Sequence, residues 1–173
     1  MNEGLIINGW TLYAHPLFLD QVERLALAVE RDKKTDPHNY RSKANAKLLA
    51  AIWKIAFKQI PQDPGLARYR QGITLGDAYK HWFREKFGNG RFRLFFRFDS
   101  RSKIIVYAWV NDENSKRTYG SRTDAYAVFR DMLAQGNPPD DWATLLKACS
   151  DKDVALRFAA TQSNPGAPQD EAG

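Results

Sequence analysis

KFGNGRFRLFFRFDSRSKIIVYAWVNDENSKRTY, residues 86 to 119, decides how this chain is read. From Arg91 to Asp99 the side chains separate at period two: Phe92, Leu94, Phe96 and Phe98 fall on one side of a strand, and Arg91, Arg93, Phe95 and Arg97 on the other. The first set is a core face and the second reads as a basic platform. Neighbouring guanidinium groups repel one another on an ordinary solvated strand, so the pattern points to an anionic partner that bridges them. A polyphosphate chain such as RNA meets that description.

Turns at Gly88-Asn89-Gly90 and Asp99-Ser100-Arg101-Ser102 predict a three-stranded antiparallel meander over His81 to Phe87, Arg91 to Asp99 and Lys103 to Asn111. Upstream, Leu5 to Tyr13 reads as one strand ending at His15-Pro16. Phe18, Val22, Leu25, Ala26 and Val29 then recur at helical spacing to about Asp32. Asp36-Pro37 reads as the N-cap and first position of a second helix, whose stripe is Ala44, Leu48, Ile52 and Ile55 and which stops at Pro61. Residues 65 to 80 read as a glycine-bearing loop. Downstream of a polar loop over 110–120, Thr123-Asp124 caps a helix carrying Ala125, Val128, Phe129, Met132 and Leu133, and a short helix follows around Trp142, Leu145 and Leu146. The expected class is α+β in the order β-α-α-β-β-β-α with a short C-terminal helix, two N-terminal helices packing on an antiparallel sheet. From about Ser163 the chain is Pro, Gly, Ala and acid, a composition expected to be disordered.

The 173 residues suit one domain with a sizeable core. Formal net charge is +6, and its distribution is uneven: residues 80 to 122 hold eleven cations and four acids, a net +7, which leaves −1 for the rest. Such local concentration is typical of nucleic-acid binders. A single cysteine, Cys149, excludes an internal disulfide and reads as a buried structural thiol of a reducing, cytoplasmic compartment. No apolar run is long enough to span a membrane, and the first residues lack the pattern of a signal peptide.

Cleaving an RNA phosphodiester requires activation of the 2′-hydroxyl, neutralisation of charge on the transition state and protonation of the leaving 5′-oxygen. Arg93 and Arg97 share a face with Phe95 and supply forks suited to nonbridging phosphate oxygens. Trp82, Arg84 and Lys86 alternate likewise on the preceding strand, and Arg117 and Tyr119 lie in the loop beyond the last one. The phenol of Tyr119 or Tyr126 is able to stack on a base or to take a proton beside cations. Arg91 and Lys103 read equally well as solvated hairpin charges, and Tyr107 and Trp109 better as packing than as base-stacking groups. Asn111, Asp112, Glu113 and Asn114 most simply satisfy loop backbone groups, the carboxylates being alternatives for a general base or for pairing with Arg117. His15, His38 and His81 lack a metal-ligand spacing and no phosphate-cradling glycine loop occurs, so neither a zinc site nor nucleotide hydrolysis is expected.

NGWTLYAHPLF (8–18), KFGNGRFRLFFRF (86–98), WVNDENSKRTYGSRTDAYAVFRDML (109–133) and GNPPDDW (136–142) together resemble the YhaV toxin family. The resemblance spans roughly residues 8 to 149 and implies a single RelE-like toxin domain over 1–149, with 150–173 as a tail that inherits no role. It implies an endoribonuclease of a type II toxin–antitoxin system that cuts mRNA, on or off the ribosome; the lack of a clustered His, Cys or carboxylate set adds the expectation that no cofactor or metal is needed. The implied partner is a PrlF-type antitoxin with an AbrB-like fold, through which operator DNA would be reached. By motif, Arg93 and Arg117 correspond to the phosphate-contacting arginines of the wider superfamily, Lys86 or Arg84 to its strand lysines, and Tyr119 or Tyr126 to its tyrosine. Arg91 and Arg97 are further candidates for RNA contact. The rival reading is a non-catalytic nucleic-acid-binding module, or a corepressor acting with the antitoxin.

Overall fold

The computed structural model describes residues 4–111 and 124–163. Asn8 and Gly9 take φ of 52° and 81°, the left-handed pair that a two-residue hairpin requires. The run from Leu5 to Tyr13 is therefore not one strand but a hairpin of β1 (Leu5–Ile7) and β2 (Trp10–Ala14). His15 then caps α1 (Pro16–Thr35) by accepting from the Leu17 amide at 3.1 Å, with Pro16 at the position where no amide is needed. Asp36 does not start the second helix. Its amide donates to the Asp32 carbonyl at 2.8 Å and so completes the last turn of α1, and α2 (Ala44–Lys54) begins only after Lys43. Beyond α2 the helical path widens over Ile55–Gln59 and tightens over Ile60–Gln62, ending where the prolines require it.

The meander forms as the turns predict: β3 (Phe83–Phe87), β4 (Phe92–Asp99) and β5 (Ile104–Val110), each antiparallel to the next. The sheet as a whole is not antiparallel. Its order is β1-β2-β5-β4-β3, and β2 runs parallel to β5, with Thr11 opposite Ile104 and Ala14 opposite Tyr107. Parallel neighbours need a long crossover, which α1 and α2 help to supply. After the meander come α3 (Ala125–Ala134), α4 (Trp142–Ser150) and α5 (Lys152–Ala160). Asp124 caps α3 through the Tyr126 amide at 3.1 Å, as read from sequence. The helix α5 lies in the segment expected to be a tail that inherits no role, and it buries Phe158 against Phe57 at 5.5 Å between ring centres. The expectation for residues beyond Ser163 lies outside the described residues.

Helices cover both faces of this α+β sheet. On one, α1, α2 and α5 pack against Leu12, Phe92, Leu94, Phe96 and Tyr107. On the other, α3 and α4 pack against Trp82, Phe95, Val106, Ala108 and Trp109. A bulge makes the second layer: Phe95 faces Trp109 and Phe96 faces Tyr107, so Ala108 is the extra residue and shares its face with Trp109. Phe129 of α3 then stacks at 4.3 Å on Phe95 and at 5.7 Å on Trp109. Phe95 is thus a core residue, and the open basic platform expected on its face is filled by a helix.

Candidate active site

That helix divides the arginines of β4. Arg97 lies at one end of the strand, its guanidinium between the rings of Trp82 and Trp142 at 5.5 and 5.1 Å and bonded to the Asp140 carbonyl. The Asp140 carboxylate in turn accepts from Trp82 at 2.8 Å and meets His81 at 2.6 Å. Burial holds the Arg97 guanidinium below its ordinary pKa against the pull of Asp140 and Asp141. Arg97 is thereby tied into the packing of α4 on the sheet, and it does not join the other candidates.

At the opposite end Arg93 is 6% exposed and Arg84 8% exposed. Arg84 Nε donates to the Tyr126 phenol at 2.7 Å and Arg93 Nε to the same oxygen at 3.2 Å. Arg84 Nη1 donates to the Arg68 carbonyl at 2.9 Å and Arg93 Nη1 to the Gly90 carbonyl at 2.7 Å. Among the described residues neither guanidinium has a carboxylate within ion-pair distance, and the Nη2 group of each has no protein acceptor. Lys86 stands directly opposite Arg93 in the β3–β4 register and is exposed. The exposed Arg91 precedes the strand, its guanidinium bonded to the Gly88 carbonyl at 3.0 Å and lying 5.6 Å from the Phe92 ring centre. Strand alternation thus places Arg84, Lys86 and Arg93 on one face, and the first turn of α3 places Tyr126 over them.

Tyr126 is not a platform for a base. Its ring meets Phe95 edge-on at 5.7 Å and carries the Arg93 guanidinium at 5.4 Å from its centre, leaving 5% of the residue exposed. Nor is Arg93 the exposed strand cation that the alternation suggests, since it is buried under Tyr126. Asn111 does what the polar-loop reading expects, since its side-chain oxygen accepts from the Arg93 amide at 2.6 Å and its nitrogen donates to the Arg91 carbonyl at 2.9 Å. Gln21 of α1 anchors the preceding residue, donating to the Val110 carbonyl at 2.6 Å and accepting from its amide at 3.1 Å. Arg117 and Tyr119 lie outside the described residues, between Asn111 on the Arg93 backbone and Asp124 at the cap below Tyr126.

Arg68 was not singled out from sequence. It sits in the loop before β3, gives its carbonyl to Arg84, and pairs with Glu85 at 3.3 Å while lying 5.0 Å from the Tyr69 ring centre. Nothing local distinguishes it from other loop cations. Burial pushes the Cys149 thiol up to about 12, so this cysteine is no nucleophile at neutral pH. Among the described residues no three His, Cys, Asp or Glu side chains are grouped as a metal site would need, and no helix is long and apolar enough to cross a membrane.

Two buried guanidinium groups thus converge on one phenolic oxygen, inside a stretch of sequence that a family model matches. The YhaV toxin family, described as a toxin with endonuclease activity of a toxin–antitoxin system, matches residues 12–150. The chain belongs to the YhaV toxin family. Ribonuclease toxin YhaV of Escherichia coli strain K12 is 49% identical over 142 residues, covering 82% of this chain and 92% of the relative. Toxin YhaV of Escherichia coli O6:H1 is 49% identical over 140 residues, covering 80% and 91%. No solved structure matches the chain. The YhaV match runs from β2 to the last residue of α4, so it contains Arg84, Lys86, Arg93 and Tyr126 and leaves out α5.

Proposed function

We infer that this chain is an endoribonuclease toxin whose cleavage of mRNA halts translation and growth. The observation that carries the reading is the convergence of Arg84 and Arg93 on Tyr126 without a carboxylate partner among the described residues. Burying cations without a counter-ion is costly, and an RNA phosphate supplies the missing charge to donors already held in place. In the step proposed, the 2′-oxygen bonds to phosphorus as the bond to the 5′-oxygen breaks, leaving a 2′,3′-cyclic phosphate and a 5′-hydroxyl. Arg84 and Arg93 bind the nonbridging oxygens where charge grows, and Lys86 stands beside Arg93 to stabilise charge or to hand a proton to the leaving oxygen. Arg117 and Tyr119 enter as further phosphate and proton-transfer groups through the family resemblance.

A RelE-like assignment is supported by α1 and α2 preceding a three-stranded meander, with the β1–β2 hairpin as an addition in front. The partner proposed is an antitoxin of the PrlF type, which would also bring the complex to operator DNA. The test is cleavage of a labelled RNA and of the same RNA with one 2′-deoxy nucleotide, in EDTA and with or without ribosomes in separate magnesium-containing reactions. Cyclic-phosphate ends, and loss of the cut at the 2′-deoxy position, are expected. Cutting at the deoxy position, or strict dependence on an added divalent ion in the ribosome-free reaction, overturns the mechanism.

A further inference from the structure

On the face of the sheet away from the arginine cluster, α1, α2 and the end of α5 enclose an apolar groove of about 780 Å³. Phe18, Val22, Leu49 and Ile52 form its floor, and Leu27, 61% exposed, stands on its wall. A soluble surface seldom leaves so large an apolar concavity without a use. Its charged lining is mixed, Glu23 and Glu30 with Lys33 and Arg157, and cations stand by an aromatic ring at each end of α2. Lys33 and Arg41 lie 5.8 and 5.5 Å from the Tyr40 ring centre and Lys58 5.6 Å from that of Trp53, both rings lining the groove. Of the two acids that line it, Glu23 is held by Arg157. Residues 31 to 58 hold eight Lys or Arg and two Asp, a net +6 concealed in the −1 that the chain shows outside residues 80 to 122.

We propose that this groove docks an acidic amphipathic helix of the antitoxin, aliphatic side chains in the groove and carboxylates on Lys33, Arg41 and Lys58. Complementary charge selects the occupant: an apolar stripe at helical spacing fills the concavity, and acids on its flanks meet the three cations. The ten residues of this chain beyond Ser163 are too poor in large apolar side chains to fill it. The nucleolytic face is a weaker seat for such a helix, because Arg84 and Arg93 are buried, each with only its Nη2 group lacking a protein acceptor among the described residues, and the apolar groove lies on the other face of the sheet. The identity of the partner rests on the toxin reading; the surface does not.

The test uses the full chain with its co-expressed antitoxin, and with a labelled peptide carrying Leu at i, i+3, i+4 and i+7 flanked by Glu, against a scrambled peptide of equal composition. Leu27→Asp and the pair Lys33→Glu with Lys58→Glu lie outside the nucleolytic cluster and should leave RNA cleavage by the free protein unchanged. Each should weaken antitoxin binding at least tenfold, and hydrogen exchange in the complex should slow over α1 and α2. Wild-type affinity in both folded variants, or protection confined to β3 and β4, overturns the proposal. Slowed exchange over α1 and α2 on adding RNA alone overturns it as well, by giving the groove to nucleic acid. A chain without RNase activity whose groove is still protected by the antitoxin sinks the enzymatic reading and upholds this one.

Discussion

Arg84 and Arg93, on neighbouring strands, donate through their Nε–H groups to the same phenolic oxygen, that of Tyr126. One hydroxyl on α3 therefore helps to orient both guanidinium forks.

Tyr126→Phe keeps the ring on Phe95 and removes the acceptor that the two arginines share. Loss of a hydrogen bond to a charged group costs roughly 1.5 to 3 kcal/mol, and misaimed phosphate donors cost about 100-fold in rate. The expected result is a folded protein with a lower urea midpoint and a cleavage rate reduced by about that factor. A variant as active as the wild type would show that the phenol does not set the forks.

Lys86 and Arg97 separate chemistry from packing. Lys86 is exposed opposite Arg93, so Lys86→Ala should change stability by less than about 0.5 kcal/mol while lowering cleavage by about tenfold or more. Arg97→Met should do the reverse, with cleavage retained and about 1 to 2 kcal/mol lost as the contacts with Trp82, Trp142 and the Asp140 carbonyl go. Denaturant titration and a single-turnover assay on each variant check both halves.

His15 makes folding sensitive to mild acid. Burial lowers its pKa from 6.5 to about 4, and its Nδ1 must be unprotonated to accept from the Leu17 amide. The unfolded chain thus takes up a proton before the folded one does. The contribution is fully present above pH 6.5 and is lost as pH falls through the window from 6.5 to about 4, amounting to about 2 kcal/mol between pH 7.5 and pH 5. His15→Asn keeps a side-chain oxygen to cap α1 and should flatten that part of the stability profile. An unchanged slope in the variant would assign the acid sensitivity elsewhere.

Phe158 makes α5 part of the domain although the family match ends at Ser150. It is 2% exposed and stacks on Phe57, so Phe158→Ala should cost about 3 to 5 kcal/mol. Cleavage per folded molecule should remain, because α5 packs on the face of the sheet opposite Arg93. Calorimetry and an assay well below the transition measure the two separately.

Local rules settled part of this protein before any folding. The turns at Gly88-Asn89-Gly90 and Asp99 to Ser102, the alternation through β4, the helical stripes of α1 and α2 and the Asp124 cap are properties of neighbours along the chain, and each appears where its residues predict it. Asn8-Gly9 carried an equally local hairpin signal, but the apolar residues around it read as one continuous strand. Alternation also brought Arg84, Lys86 and Arg93 to one face correctly, since strand side chains must point alternately.

What covered that face was a question of tertiary packing. Phe95, Val106 and Trp109 can pair with Phe129 only when α3 folds back from more than a dozen residues away, and no period in β4 records that event. The same contact buried Arg93, put Tyr126 between two guanidinium groups and left Arg97 to the tryptophans at the far end. The parallel pairing of β2 with β5 and the docking of α5 likewise join segments distant in sequence, where burial of a shared apolar surface decides the partner and local propensity is silent.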